Sequence, residues 1–188
     1  ARGTERGGTG GQGRAGSTAG LRAAENKILG GRGGHLKTER NAIVGCGCAG
    51  YHGAKALREN GYTGEIHVCT DTAEGPENPM RTAYYAGGKV TGEAALPFGS
   101  LADIARELDL TLHAGERVGS VDVKAKTVAA PDGKSEAYDK LLIATGASPF
   151  VPPTKGAGEA GVFTVRTLKD AQRIRERTDQ GITSAMVV

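Results

Sequence analysis

The apolar run Asn41-Ala42-Ile43-Val44 leads directly into Gly45-x-Gly47-x-x-Gly50, and a helix-compatible segment follows. The order constrains the fold because this glycine pattern has a mechanism only between a strand and a helix. Gly45 permits the tight turn, and Gly47 lets backbone come close to a pyrophosphate. Gly50 lets the helix pack closely, with its N-terminal N–H groups facing the phosphates. The pattern alone is weak, since the chain holds 31 glycines in 188 residues and a glycine-rich turn without a ligand would look the same. Three features strengthen it. Gly50, Gly53, Ala54 and Leu57 share one helical face, small where a helix must lie against a sheet. Gly61 stands where a C-cap glycine would end the helix. Glu65 to Thr70 then reads as a second strand, and Asp71 follows about 20 residues after the last glycine, where such units place a carboxylate for ribose hydroxyls.

Composition divides the chain. Residues 1–40 contain 12 glycines, eight Lys or Arg, three Glu and one apolar pair, Ile28-Leu29; they carry +5 of a total net charge of +3. So little apolar surface cannot offset the entropy of ordering, and residues 1–38 read as a disordered Gly/Arg-rich segment. Without an RGG repeat or interleaved aromatics, this segment reads as a linker or as sequence outside any domain, not as a nucleic-acid tail. It lacks the continuous apolar core of a secretory signal, and no stretch is long enough to span a membrane. Cys46, Cys48 and Cys69 are an odd set with no framework spacing, which points to a reducing, cytoplasmic setting. Cys46-x-Cys48 lacks a second ligand pair, so no metal site is assigned. A low-pKa thiol at a helix N-terminus stays open beside the simpler reading of two small side chains in a turn.

Downstream, Ser100 to Leu108 reads as a short helix capped by Ser100, with Leu101, Ile104, Ala105 and Leu108 on one face. Leu110 to His113, Val118 to Val123 and Thr127 to Ala130 read as strands, with Pro131-Asp132-Gly133 as a turn. The sequence Leu141 to Ala144 is a continuous apolar run, expected as a buried central strand ending in Thr145-Gly146 at the sheet's carboxyl edge. Ile182 to Val188 reads as the start of a strand that the end of the sequence cuts short. The expected fold class is therefore α/β: a Rossmann-like parallel sheet with helices on both faces plus a small antiparallel excursion.

Four segments occur in a specific order: Ile43-Val44-Gly45-x-Gly47-x-Ala49-Gly50; Tyr138-Asp139-Lys140-Leu141-Leu142-Ile143-Ala144-Thr145-Gly146; Pro149-Phe150-Val151-Pro152-Pro153; and Gly161 to Ala171. With them, residues 41–188 resemble the FAD-dependent pyridine nucleotide-disulfide oxidoreductase family. Within it the pattern is similar to the NAD(P)H:acceptor reductases, a branch of NADH oxidases, rubredoxin or ferredoxin reductases and flavoproteins related to nitrite reductase. The resemblance implies an FAD-binding domain over 39–150. It also implies a linker and the beginning of a truncated NAD(P)-binding domain over 151–188, so the chain would be an incomplete fragment, inactive alone.

Carried over by position, Gly45, Gly47, Ala49 and Gly50 would cradle the FAD pyrophosphate. Asp71 would take the adenosine ribose, with Thr72 as the neighbouring register. Val118 would contact adenine through its backbone or simply be a core valine. Ala144, Thr145 and Gly146 would border the cofactor. Met80 stands about where disulfide-reducing relatives place a redox cysteine before Tyr84-Tyr85, and a thioether cannot form the mixed disulfide. The implied function is thus transfer of electrons from NAD(P)H through FAD to an external small-molecule or redox-protein acceptor, with a homodimer left open for the full-length form and no catalytic side chain assigned. The tyrosine pair reads first as an amphipathic helix packed on the domain, and second as a substrate contact. The alternative function is a non-catalytic Rossmann module that binds NAD or another nucleotide.

Overall fold

The computed structural model describes residues 39–188; the expectation of disorder over 1–38 lies outside the described residues. Strand β1 (Arg40–Val44) is buried over its last four residues. Its apolar side chains face both sides of a sheet covered twice, the usual setting of a parallel strand. Helix α1 (Cys48–Glu59) follows the glycine turn and buries Gly50, Tyr51 and Ala54. Its end is a Schellman motif. Gly61 adopts φ +82, its N–H reaches the Arg58 carbonyl at 3.0 Å, and the Tyr62 N–H reaches the Leu57 carbonyl at 3.0 Å. The chain is thereby turned back into β2 (Glu65–Thr70), which lies parallel to β1.

Helix α2 (Pro79–Ala86) begins on Asn78, whose side chain accepts from the Met80 N–H. A short 3-10 turn (Glu93–Ala95) leads to α3 (Leu101–Glu107), capped by Ser100 accepting from the Asp103 N–H. Strand β3 (Thr111–Ala114) pairs parallel with β2. Strands β4 (Ser120–Asp122), β5 (Thr127–Ala129) and β6 (Ser135–Ala137) form a separate antiparallel sheet. Strand β7 (Lys140–Ile143) then returns to pair parallel with β1, giving the order β3-β2-β1-β7. Helix α4 (Leu168–Asp179) starts in a capping box between Thr167 and Asp170.

The period-two alternation of the parallel strands divides the core. Ile43, Ile66 and Val68 point to the face that holds Tyr51 and Ala54 of α1 and Leu101 and Ile104 of α3. Ala42, Val44 and Cys69 point to the other face, where Val128 of β5 and Tyr138 close over them. The fold class is the expected α/β one. Among the described residues, however, α1 and α3 share one face, and the antiparallel excursion covers the face where helices were also expected.

Two expectations need correction. Among the described residues strand β7 is not a buried central strand but an edge of the sheet, with Leu142 40% and Ile143 62% exposed. A continuous apolar run shows that both sides of a strand are greasy, not that another strand lies beyond it. Residues 182–188 form no strand and are exposed. An isolated extended segment has no partner for its backbone groups, so apolar composition alone does not make one.

Candidate functional site

Parallel pairing puts the carboxyl ends of β1, β2, β3 and β7 on one rim. The glycine turn leaves β1 there. Gly45 donates its N–H to the Cys69 carbonyl of β2 at 2.7 Å, and Ala144, just past β7, donates to the Val44 carbonyl at 2.7 Å. The turn is thus stitched to the strand on either side. Gly45 has φ +98, and a Cβ there would run into the Ala144 carbonyl. The loops at Gly45 and at Ala144-Thr145 are therefore in close backbone contact on the same rim.

The three glycines have different neighbours. A Cβ on Gly50 would strike the Gly45 carbonyl, so this glycine lets α1 close onto its own turn. Close approach to the sheet falls to Gly53, where a Cβ would lie within 2.5 Å of Leu142 Cδ2. At Gly47 nothing lies within 4 Å. Gly47 is also the N-cap of α1, with no side chain capping the helix and no acidic residue in its first turn. A helix start whose donors face outward, beside a bare glycine, is a ready anion site. Ala49 sits in that first turn and is exposed. The residues present therefore fit the phosphates of a dinucleotide.

Asp71 follows β2 on the same rim and is exposed. The Thr72 hydroxyl lies 3.1 Å from the Thr70 hydroxyl, which ties Thr72 back toward β2. Thr145 and Gly146 are exposed beyond β7, and Gly146 takes φ +71. Val118 follows β3, and its partly buried side chain packs against the Ala42, Val44 and Cys69 core. The same residue also borders a small cavity with His113 and Glu136.

Sequence reasoning missed two neighbours of this rim. Arg166 donates Nε–H to the Ala147 carbonyl at 3.2 Å, and its guanidinium lies 3.8 Å from where a Gly146 Cβ would stand. Nothing in a lone arginine before a capping box marks it as rim-facing. Glu77 accepts the Leu168 N–H at 2.9 Å and so fastens the start of α4 to the loop before α2. Burial pushes the Glu77 carboxyl up, against the lowering effect of that hydrogen bond.

The thiol question resolves against a reactive Cys46. Its side chain enters the core, and burial pushes its thiol up. Cys48 is exposed, and Cys69 is buried and also raised, by burial first and then by Glu136 and Glu116. Met80 is 81% exposed. The Tyr85 ring lies under the Arg175 guanidinium of α4 at 5.1 Å, while Tyr84 is exposed. The pair thus packs through one tyrosine only. No helix among the described residues is long and apolar enough to cross a membrane.

A parallel sheet with a glycine turn, an open helix start and a carboxylate on one rim defines a dinucleotide-binding α/β domain. The chain belongs to the pyridine nucleotide-disulphide oxidoreductase family, whose model matches residues 39–188, a family of FAD-containing, NAD(P)H-binding reductases. It is 33% identical over 148 residues to rubredoxin-NAD(+) reductase of Pseudomonas putida, covering 78% of this chain and 37% of that protein. It is 32% identical over 142 residues to the ferredoxin–NAD(+) reductase component of the biphenyl dioxygenase system of Paraburkholderia xenovorans, covering 74% and 34%. Among solved structures, the covalent putidaredoxin reductase–putidaredoxin complex matches with a TM-score of 0.66 and 31% identity, over 74% of this chain and 34% of that one. The NADH-bound water-forming NADH oxidase of Lactobacillus brevis matches at 0.69 and 25%, over 76% and 33%. The chain spans about a third of the length of these relatives.

Proposed function

We propose that this chain is the FAD-binding portion of an NAD(P)H-dependent reductase that passes electrons to an external acceptor without a redox-active disulfide. The observation that carries the reading is the contact between the Gly45 turn and the Ala144-Thr145 loop on the carboxyl rim, beside the uncapped start of α1. In this reading the first-turn N–H groups of α1, with Gly45, Gly47, Ala49 and Gly50, hold the pyrophosphate. Asp71 accepts from the adenosine ribose, the Val118 backbone meets adenine, and Ala144, Thr145 and Gly146 border the cofactor. Arg166 adds a cation beside Gly146. Bound there, FAD supplies the hydride and electron chemistry, and the protein supplies position and electrostatics.

An external acceptor fits the cysteines. Cys46 and Cys69 are buried thiols with raised pKa values, the exposed Cys48 has no partner at Cys-x-x-Cys spacing, and Met80 stands about where a redox cysteine would act. The relatives named for rubredoxin and ferredoxin make a small redox protein the favoured acceptor class. Residues 39–150 form the FAD unit and 151–188 lead toward the nicotinamide unit, so the 188 residues alone do not oxidise NAD(P)H. The compartment is cytoplasmic.

The test is flavin content. Purified chain should carry flavin that is released on denaturation, or rise in melting temperature when FAD is added. A colourless chain whose melting temperature responds to NAD and not to FAD would replace this reading with the nucleotide-binding module.

A further inference from the structure

On the face of the parallel sheet covered by the antiparallel strands, two histidines and a glutamate converge from three strands. His67 of β2 and His113 of β3 stand on the same face, because the register pairs His67 with Thr111 and Cys69 with His113. Their rings stack at 5.5 Å with 22° between planes. His67 Nδ1 lies 3.2 Å from His113 Nε2. Glu136 of β6 reaches across from the antiparallel sheet, with Oε2 3.6 Å from His67 Nδ1. One ligand atom from each of the three lies within 4.8 Å of the other two. His67 is buried, and His113 and Glu136 are partly buried.

We propose that His67, His113 and Glu136 form a structural site for a borderline divalent cation of the zinc type, clamping the antiparallel sheet to the parallel one. Two of the spacings, His67 Nδ1 to His113 Nε2 at 3.2 Å and His67 Nδ1 to Glu136 Oε2 at 3.6 Å, are close to the roughly 3.3 Å that bonds of about 2.0–2.1 Å at tetrahedral angles give. The orientation of the rings fits as well. Each histidine turns one nitrogen toward the shared centre and the other toward a carboxylate. His67 Nε2 faces Glu65 Oε2 at 3.5 Å, and His113 Nδ1 faces Glu116 Oε2 at 3.9 Å. A carboxylate thus stands near the outer nitrogen of each imidazole, where it could accept that nitrogen's proton when the inner nitrogen binds a metal in place of the other histidine.

The charges around the site are mixed, with Arg117 and Lys134 also lining the adjoining cavity. Three carboxylates, Glu65, Glu116 and Glu136, are balanced by Arg40, which touches Glu65 and Glu136, and by Lys134, which touches Glu116. The three ligands sit on paired strands, so little ordering remains to be done on binding. A fourth position is left for water, and a cavity of about 70 Å³ beside Cys69, His113, Val118 and Glu136 has room for it.

Cobalt(II) is the probe, because its visible absorption reports tetrahedral nitrogen and oxygen ligands. Titrating the 188-residue chain should give one cobalt per chain, displaced by zinc, with no sulfur-to-cobalt charge-transfer band. Zinc should raise the melting temperature. His67→Gln and His113→Gln should abolish the signal, and Glu65→Gln should weaken binding about 10-fold or more while the ligands remain. The double variant Cys46→Ser, Cys48→Ser should bind as the parent does. No binding in large excess of metal overturns the proposal. So does binding that survives in both histidine variants, or a sulfur band that vanishes with the two glycine-turn cysteines. If the histidine variants fail to fold, the parent spectrum and the Glu65→Gln titration decide. None of these readouts depends on flavin, so the clamp and the proposed function fail separately.

Discussion

The two ends of the parallel sheet are built from opposite materials. The amino rim is held by long charged side chains. Arg58, at the end of α1, donates to the carbonyls of Leu108 at 2.7 Å, Tyr62 and Gly64 at 2.9 Å, and Asp109 at 2.6 Å. Arg40 pairs with Glu65 at 2.7 Å and Lys140 with Glu39 at 3.0 Å. At the carboxyl rim the turns are lined by small residues, Gly45, Gly47 and Gly146, with Asp71, Thr145 and Arg166 as the polar side chains beside them. One rim spends its polar groups on the fold, and the other keeps them for a ligand. Stability and binding should therefore separate along the strand axis.

Ranked by expected cost to stability, four substitutions probe that separation. Arg58→Ala should cost about 3 kcal/mol in urea unfolding, because several partly buried carbonyls lose a charged donor at once. A loss under about 0.5 kcal/mol would mean the amino rim is not the anchor. Gly50→Ala should cost about 2 kcal/mol, because its Cβ is forced onto the Gly45 carbonyl, and it should also lower flavin content. Gly47→Val should cost no more than about 1 kcal/mol, from the poorer N-cap, since nothing lies near that Cβ, yet remove most of the bound flavin. Flavin content equal to the parent's would break the comparison. Met80→Ala should change neither stability nor, in a full-length form, acceptor reduction beyond scatter, given its exposure; a large loss of reduction would put Met80 at the cofactor or acceptor.

Glu77 offers a pH test that involves neither rim anchor. Its folded pKa is raised, so the folded state holds the proton more tightly than the unfolded state does. The contribution is present below the ordinary value of 4.5 and is lost as pH rises through the raised folded value. Glu77→Gln should therefore flatten the stability–pH profile just above that value. A profile identical to the parent's would show that burial there is not felt.

The glycine-turn unit was legible because its signals are local. Strand, turn, helix, C-cap glycine and carboxylate follow within 31 residues, from Asn41 to Asp71. What lies far apart in sequence was not. Strand β7 looked central because its run is apolar throughout, yet apolar content records neither sheet order nor, at Leu142 and Ile143, burial among the described residues. Strand β6, Ser135-Glu136-Ala137, carries no apolar alternation and gave no signal. Helix α4 went unread as a helix although Thr167 and Asp170 spell a capping box. The His67, His113 and Glu136 cluster is spread over 70 residues on three strands, and no spacing rule joins it.

The exposed flank of β7 bears on how the protein behaves in the test tube. Among the described residues β7 is the outermost strand and presents Leu142 and Ile143, an arrangement that favours pairing with an extended peptide, including a second molecule. Crowded samples should grow larger particles sooner than dilute ones, and Ile143→Lys should delay that growth by placing a charge on the sticky border.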